Sequence, residues 1–228
     1  MTPILELVAV EGRMPYASNA TLLARSADGR PWIYKPEQGE NPLWDFPWRT
    51  LANREVLTYE VASVMELDLV PETVQAEGPY GPGSAQAFVE EDLDFDPRTI
   101  LVPQLDLRLW AVAVLDIVCN NADRKLGHLI REAGTDHLWA IDNGLTFHHQ
   151  PKLRTVLWGF AGQPLPEPLR EAVTNLGRAL GDHLWQRTVD LLSTEEADAF
   201  RERVDLLSRH PEHPPPPEDR PAIPWPIW

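Results

Sequence analysis

The stretch Cys119–Ile130, CNNADRKLGHLI, follows directly on the apolar run Leu109–Val118, LWAVAVLDIV. A run of that kind reads as a helix buried nearly all round. Two asparagines, an aspartate, an arginine and a lysine immediately behind it need either solvent or a task. A second polar knot opens at Asp142, 19 positions after Asp123, in Asp142-Asn143-Gly144. Between the two, HLIRE and HLWAIDNG read as a hairpin turning at Gly134. Helix, loop, hairpin and loop in that order can aim both carboxylates into one cleft. In phosphoryl transfer one carboxylate orients or deprotonates the acceptor, while another holds the magnesium that neutralises phosphate charge. Magnesium takes oxygen ligands, which makes Asp142 a candidate, and Gly144 would let the chain turn sharply beside the ion.

Such chemistry also needs a cation for the phosphates and an acid to hold that cation. Lys35 ends the strand-like PWIYKP, and Glu55 stands 20 positions later in the helical pattern of residues 51–67, with Thr50 as its expected N-cap. A strand lysine paired to a helix glutamate steers the amine onto nucleotide phosphates in two-lobed kinases. No GxxxxGK[ST] and no GxGxxG occurs. The segment Gly12–Thr21, GRMPYASNAT, is the candidate phosphate-covering loop, with Ser18 and Asn19 in place of glycines.

Each feature has a plainer reading. Lys35 and Glu55 can be solvated charges, Asp123 and Arg124 a helix-terminating ion pair, and Asp-Asn-Gly an ordinary turn. Their conjunction in the order Lys, Glu, Asp, Asp favours the kinase reading. His148 and His149 lack the spacing of a zinc site and are expected to be loop residues near the cleft. The tryptophans, among them Trp32, Trp44, Trp48, Trp110, Trp139 and Trp158, are expected to be packing anchors.

The 228 residues carry 20 Lys+Arg against 35 Asp+Glu, a net charge of −15, which disfavours nucleic acid and stable association with anionic membranes. The single Cys119 excludes an intrachain disulfide and suits a cytoplasmic setting. No apolar run approaches the roughly 18 residues of a membrane span, and neither a span nor an export signal is expected. Short strands and one helix fill the first half. Helical patterns at 104–119, 166–180, 183–192 and 195–208 dominate the second, the last capped by Ser193 or Thr194 in STEE. Eight of the last 18 residues are proline, yet IPWPIW is apolar enough to dock on the body or on a protein partner. The expected class is therefore α+β: a β-rich N-lobe with one helix at 1–88, a mostly helical C-lobe at 89–210, and a proline-rich tail at 211–228.

The set IYKP, REVLTYEVA, AQAFVEE, NNADRKLGHLI and AIDNGLTF resembles the phosphatidylinositol 3/4-kinase-like superfamily. It is nearest to type II phosphatidylinositol 4-kinases and HipA-like kinases, and nearer still to a group of actinobacterial kinase-like proteins, over about residues 10–150. The resemblance implies a small two-lobed protein-kinase-like fold that binds ATP with Mg2+ or Mn2+. It would place Lys35 on the α- and β-phosphates, with Glu55 as its anchor. FVEE at 88–91, with Phe88, Val89 and Glu90, would be the hinge, whose backbone holds adenine. Asp123, followed by Arg124, would be the catalytic aspartate. Asp142 would be the principal metal ligand, aided by His128 or Asn143. His128 stands where the superfamily usually has asparagine, and an imidazole prefers softer ions than magnesium. Residues 145–164 offer only Lys152 and Arg154 as cations, so the acceptor is expected to be a hydroxyl of a protein or small molecule in preference to an inositol lipid. A nucleotide-binding pseudokinase scaffold and an AMP transferase are the alternatives.

Overall fold

A computed structural model describes residues 4–15, 19–99, 101 and 106–228. The sheet-rich part comes first and the helical part second. Five strands, β1 (Leu5–Arg13), β2 (Leu22–Ser26), β3 (Pro31–Pro36), β4 (Thr73–Gly78) and β5 (Gly81–Ala87), close a barrel in the order β1-β2-β3-β5-β4. The closing pair, β1 with β4, is parallel, and every other pair is antiparallel. In β3 the two-residue period of a strand decides what faces where. Trp32 and Tyr34 are buried in the barrel, so Ile33 and Lys35 must project from its other face. Gly83 on β5 lets β3 approach there, since a Cβ at this position would lie 2.3 Å from the Lys35 carbonyl oxygen.

Helix α1 (Leu51–Val64) packs on β4 and β5. Thr50 occupies the N-cap position, but its hydroxyl donates to the Pro47 carbonyl (2.7 Å) instead of capping the helix. The free N–H of Ala52 finds the Glu40 carboxylate at 3.2 Å. The helix ends short of the expected residue 67 because Glu66 turns left-handed (φ 55°), and Leu67 N–H closes back on the Ala62 carbonyl.

Helix α2 (Leu107–Cys119) is the axis of the second part. Asp106 caps its start by accepting from Arg108 N, and left-handed Asn120 ends it. Ten of its residues are buried, and each fully buried Val or Leu contributes about 1.5–3 kcal/mol. The hairpin β6 (Leu129–Arg131) and β7 (Leu138–Ala140), then α3 (Glu167–Leu180), α4 (His183–Leu191) and α5 (Thr194–Arg209), complete the body. Ser193 and Glu196 form a reciprocal capping box at the start of α5.

The tail docks on the body. His213 is buried beside Trp110, Trp158 and Phe160. The Ala222 carbonyl accepts from Thr155 N and from the Trp158 indole, and the Ile227 carbonyl accepts from Leu126 N at 2.9 Å. Trp32 and Trp110 are packing anchors as expected, but Trp44 and Trp48 are not: 93% and 62% of their surfaces remain exposed. Phe46 alone of that loop's aromatics turns inward. It lies against His148 and under the guanidinium of Arg54.

Candidate active site

Two adjoining cavities open between the barrel and the helical part, and they share Thr21, Lys35 and Asp142. The first, of about 220 Å3, is mostly apolar, with Ile33, Phe88, Val89, Ile130 and Ile141 among its walls. The second, of about 320 Å3, is lined by Asn19, Glu40, Glu55, Asp123 and Gly144, with Leu43, Leu51 and Leu145 beside them.

Lys35 stands at their junction. Its ammonium donates to Glu55 Oε1 and to Asp142 Oδ1, the latter at 2.9 Å. Glu55 lies one turn after Leu51 on the face of α1 that borders the cleft, and its second oxygen accepts from Asn143 N at 3.1 Å. Lys35, Glu55 and Asp142 thus join the barrel, α1 and the loop after β7. Burial disfavours the charge on Lys35, but Asp142 and Glu55 outweigh it and hold its pKa above the ordinary lysine value. The Lys35 charge in turn holds the Asp142 carboxyl far below the ordinary range, against the pull of burial.

Asp142 adopts a left-handed backbone (φ 58°), which aspartate tolerates better than most residues. The sharp turn expected at Gly144 therefore falls two residues earlier. Gly144 serves close packing instead, since a Cβ there would touch Glu55 and Leu51 at 3.4 Å. His128 Nε2 lies 3.4 Å from the other Asp142 oxygen. Burial pushes the His128 pKa down to about 4 despite Asp142, so the imidazole is neutral at pH 7, and its Nδ1 is buried without a partner.

Asp123 lines the second cavity with Asp142. Its N–H donates to Asn121 Oδ1, and its carboxylate pairs with Lys125 at 2.9 Å. Burial raises its pKa, and Lys125 works against the rise. The two acidic loops meet because the chain staples them. Phe147 N donates to the Cys119 carbonyl, Ala122 N to Leu145 and Ile141 N to His128.

Arg124 and Asn143 stand elsewhere than the sequence led us to expect. Arg124 is wholly buried and lines neither cavity. Its guanidinium grips both oxygens of Asp116 on α2 and donates to the Ile141 carbonyl at 2.8 Å and to Asn143 Oδ1 at 2.6 Å. With those donors engaged it positions the loop of Asp142 and does not meet a reacting group. Asn143 is fully buried and lines neither cavity, its side-chain oxygen accepting from Arg124 and its amide donating to the Ala140 carbonyl, so it is turned away from where a metal would sit. Phe88 and Val89 line the apolar cavity; Glu90 does not, and its carbonyl accepts from Ala133 N while Glu91 takes the place on the wall. Ser18 lies outside the described residues. Among the described residues no three His, Cys, Asp or Glu side chains gather into a metal cluster, in keeping with His148, which donates to the Asp45 carbonyl.

Asp116 was missed because a lone carboxylate inside an apolar helix carries no period of its own; Arg124 eight positions on was the only hint. Ile33 and Ile141 could have been found, the one sharing a strand face with Lys35 and the other preceding Asp142.

No family model matches the chain. Solved kinases share its fold at low identity. The proinflammatory kinase CtkA of Helicobacter pylori superposes with a TM-score of 0.57 at 11% identity, covering 92% of this chain and 95% of that one. The Golgi casein kinase solved with Mn/ADP bound gives 0.54 at 13%, covering 92% and 73%. Hydra Fam20 with sugar gives 0.51 at 10%, covering 90% and 84%. The α+β protein-kinase-like fold expected from the sequence is therefore the observed one. Protein Rv2133c of Mycobacterium tuberculosis is 37% identical over 259 aligned positions that take in 97% of this chain and 92% of that protein. With that identity over nearly the whole of both sequences, the chain belongs to the family of Protein Rv2133c.

Proposed function

We propose that the chain is an ATP-dependent kinase of the phosphatidylinositol 3/4-kinase-like kind, transferring the γ-phosphate to a hydroxyl of a protein or small molecule. The observation that carries this is Lys35, bonded to both Glu55 and Asp142 where an apolar cavity meets an acidic one. Adenine fits the apolar cavity between Ile33, Val89 and Ile141. Among the described residues the Val89 peptide makes no hydrogen bond within the protein, leaving it to read the edge of the base. Lys35 meets the phosphates, held in place by Glu55. Asp123 accepts the proton of the acceptor hydroxyl, and Lys125 aims that carboxylate and opposes the rise that burial gives its pKa.

The residues fit a divalent ion. Asp142 and a neutral His128 converge from two loops, a pair that would hold Mg2+ or Mn2+ together with phosphate oxygens. When bound, the ion neutralises charge developing on the transferred group. The Mn/ADP in the similar Golgi casein kinase supports manganese as the first ion to try. The buried thiol of Cys119 supports a cytoplasmic place of work. Among the described residues no helix is long and apolar enough to cross a membrane.

The test is calorimetry with ATP and Mn2+ or Mg2+, followed by turnover and the mass of the product. Addition of one phosphate is expected, and addition of AMP would reassign the reaction. Asp142→Asn is expected to cut metal-dependent turnover roughly 100- to 1,000-fold in a folded protein, and unchanged turnover would remove Asp142 from the mechanism. Tight nucleotide binding without product under every metal would leave a scaffold, a reading that His128 in the place of asparagine keeps alive.

A further inference from the structure

The loop before α1 carries the most exposed large aromatic side chain among the described residues, and it is not a loose loop. Asp45 anchors it twice, its carboxylate on Lys152 at 2.8 Å and its carbonyl under His148 Nε2 at 2.7 Å, while Phe46 is buried between His148 and Arg54. Trp44 and Trp48 on either side are thereby held out in solvent. Lys152 lies over one face of Trp44 at 5.2 Å and Arg49 over Trp48 at 4.6 Å, which leaves each ring one open face. Trp48 borders a tight crevice whose walls Glu40, Asn41, Leu43 and Leu51 also line the cavity of Asp123 and Asp142. Trp48 thus shares a wall with the acidic cavity, and Leu43 of that wall is the chain neighbour of Trp44.

We propose that this ledge is the acceptor platform and that the acceptor is a carbohydrate, stacked on Trp44 and Trp48 with one hydroxyl reaching Asp123. The inference rests on the phosphotransfer reading above and narrows its substrate class. Charge decides the class. Among the described residues four carboxylates, Glu40, Glu55, Asp123 and Asp142, line the cavity, and the two lysines that meet them are already engaged, Lys35 with Glu55 and Asp142 and Lys125 with Asp123. An anionic acceptor such as a phosphorylated headgroup or acidic peptide would meet like charge once the nucleotide is seated. A sugar presents donors to carboxylates and C–H faces to indole rings, and buried acceptors of that kind reject ligands that lack the hydroxyls.

The full-length chain with ATP and Mn2+ is offered neutral hexoses, disaccharides and amino sugars in one arm, a soluble inositol phosphate in a second, and Ser-containing peptides in a third. Nucleotide-dependent phosphate incorporation is expected in the first arm only. Trp44→Ala should raise the acceptor KM about tenfold with a smaller change in kcat, and Trp44→Phe should restore most of it. Incorporation into inositol phosphate or peptide alone, or an acceptor KM indifferent to Trp44→Ala and Trp48→Ala together, would overturn the platform. Failure to bind nucleotide at all would sink the phosphotransfer reading instead. Quenching of intrinsic fluorescence by sugar without nucleotide, lost in Trp44→Ala, then still decides for the ledge, and a flat titration decides against it.

Discussion

Two charged centres lie close together and are built to opposite ends. In the cleft, Lys35 holds Glu55 and Asp142, yet Asp142 keeps 55% of its side chain exposed and faces an open cavity. Beneath it, Arg124 holds Asp116 and Asn143 with no exposure on either side of the ion pair. Arg54 does the same with Glu196 at 2.5 Å and the Thr146 carbonyl. The first centre has capacity to spare for a ligand, whereas the second is turned wholly inward on the fold. The most deeply buried pairs hold the loops, and the half-exposed carboxylate is the one left open to a ligand.

That contrast can be broken most severely from below. Asp116→Ala strands the Arg124 guanidinium in the interior and should cost about 3–5 kcal/mol in denaturant unfolding. A loss under about 1 kcal/mol would mean that the network is not what holds the loops. Asp142→Asn should invert the pattern. Turnover falls roughly 100- to 1,000-fold while unfolding shifts by no more than about 1 kcal/mol, because the lost ion pair is half exposed and Glu55 still holds Lys35. The third way uses acid. His128 stays neutral in the folded chain down to about pH 4, whereas the unfolded imidazole protonates near 6.5. The unfolded state therefore binds the proton first as pH falls. Stability is lost between those values, about 3 kcal/mol in all, and His128→Asn should flatten that limb of an equilibrium unfolding series. The smallest effect concerns metal choice. His128→Asn should shift preference from Mn2+ toward Mg2+ by on the order of tenfold, read as the ratio of the two apparent metal affinities.

The sequence showed the cleft better than it showed what supports it. Lys35 was legible because a strand's two-residue period places it opposite Tyr34, and Asp123 and Asp142 because each follows an apolar element at which the chain must turn. Asn143 and Arg124 were drawn into the site by their neighbours' company alone. One dihedral angle at Asp142 sends the next side chain inward, and nothing in Asp-Asn-Gly announces which of the three residues will turn left-handed. Within the expected hinge Glu90 leaves the cavity wall to Glu91, since a strand leaving a barrel can give its carbonyl to a distant hairpin, here Ala133. Trp44 and Trp48 were taken for packing because composition counts tryptophan as apolar, and only the anchoring of Asp45 and Phe46 shows which way the loop is turned.

His213 plugs a socket made by Trp110, Trp158 and Phe160, and the segment after it reaches the backbone of Leu126. Those plugging residues leave the ribosome after every helix and strand described. A nascent chain can therefore close its barrel and bundle its helices before the contact between this segment and Leu126, in the loop of Asp123, can form.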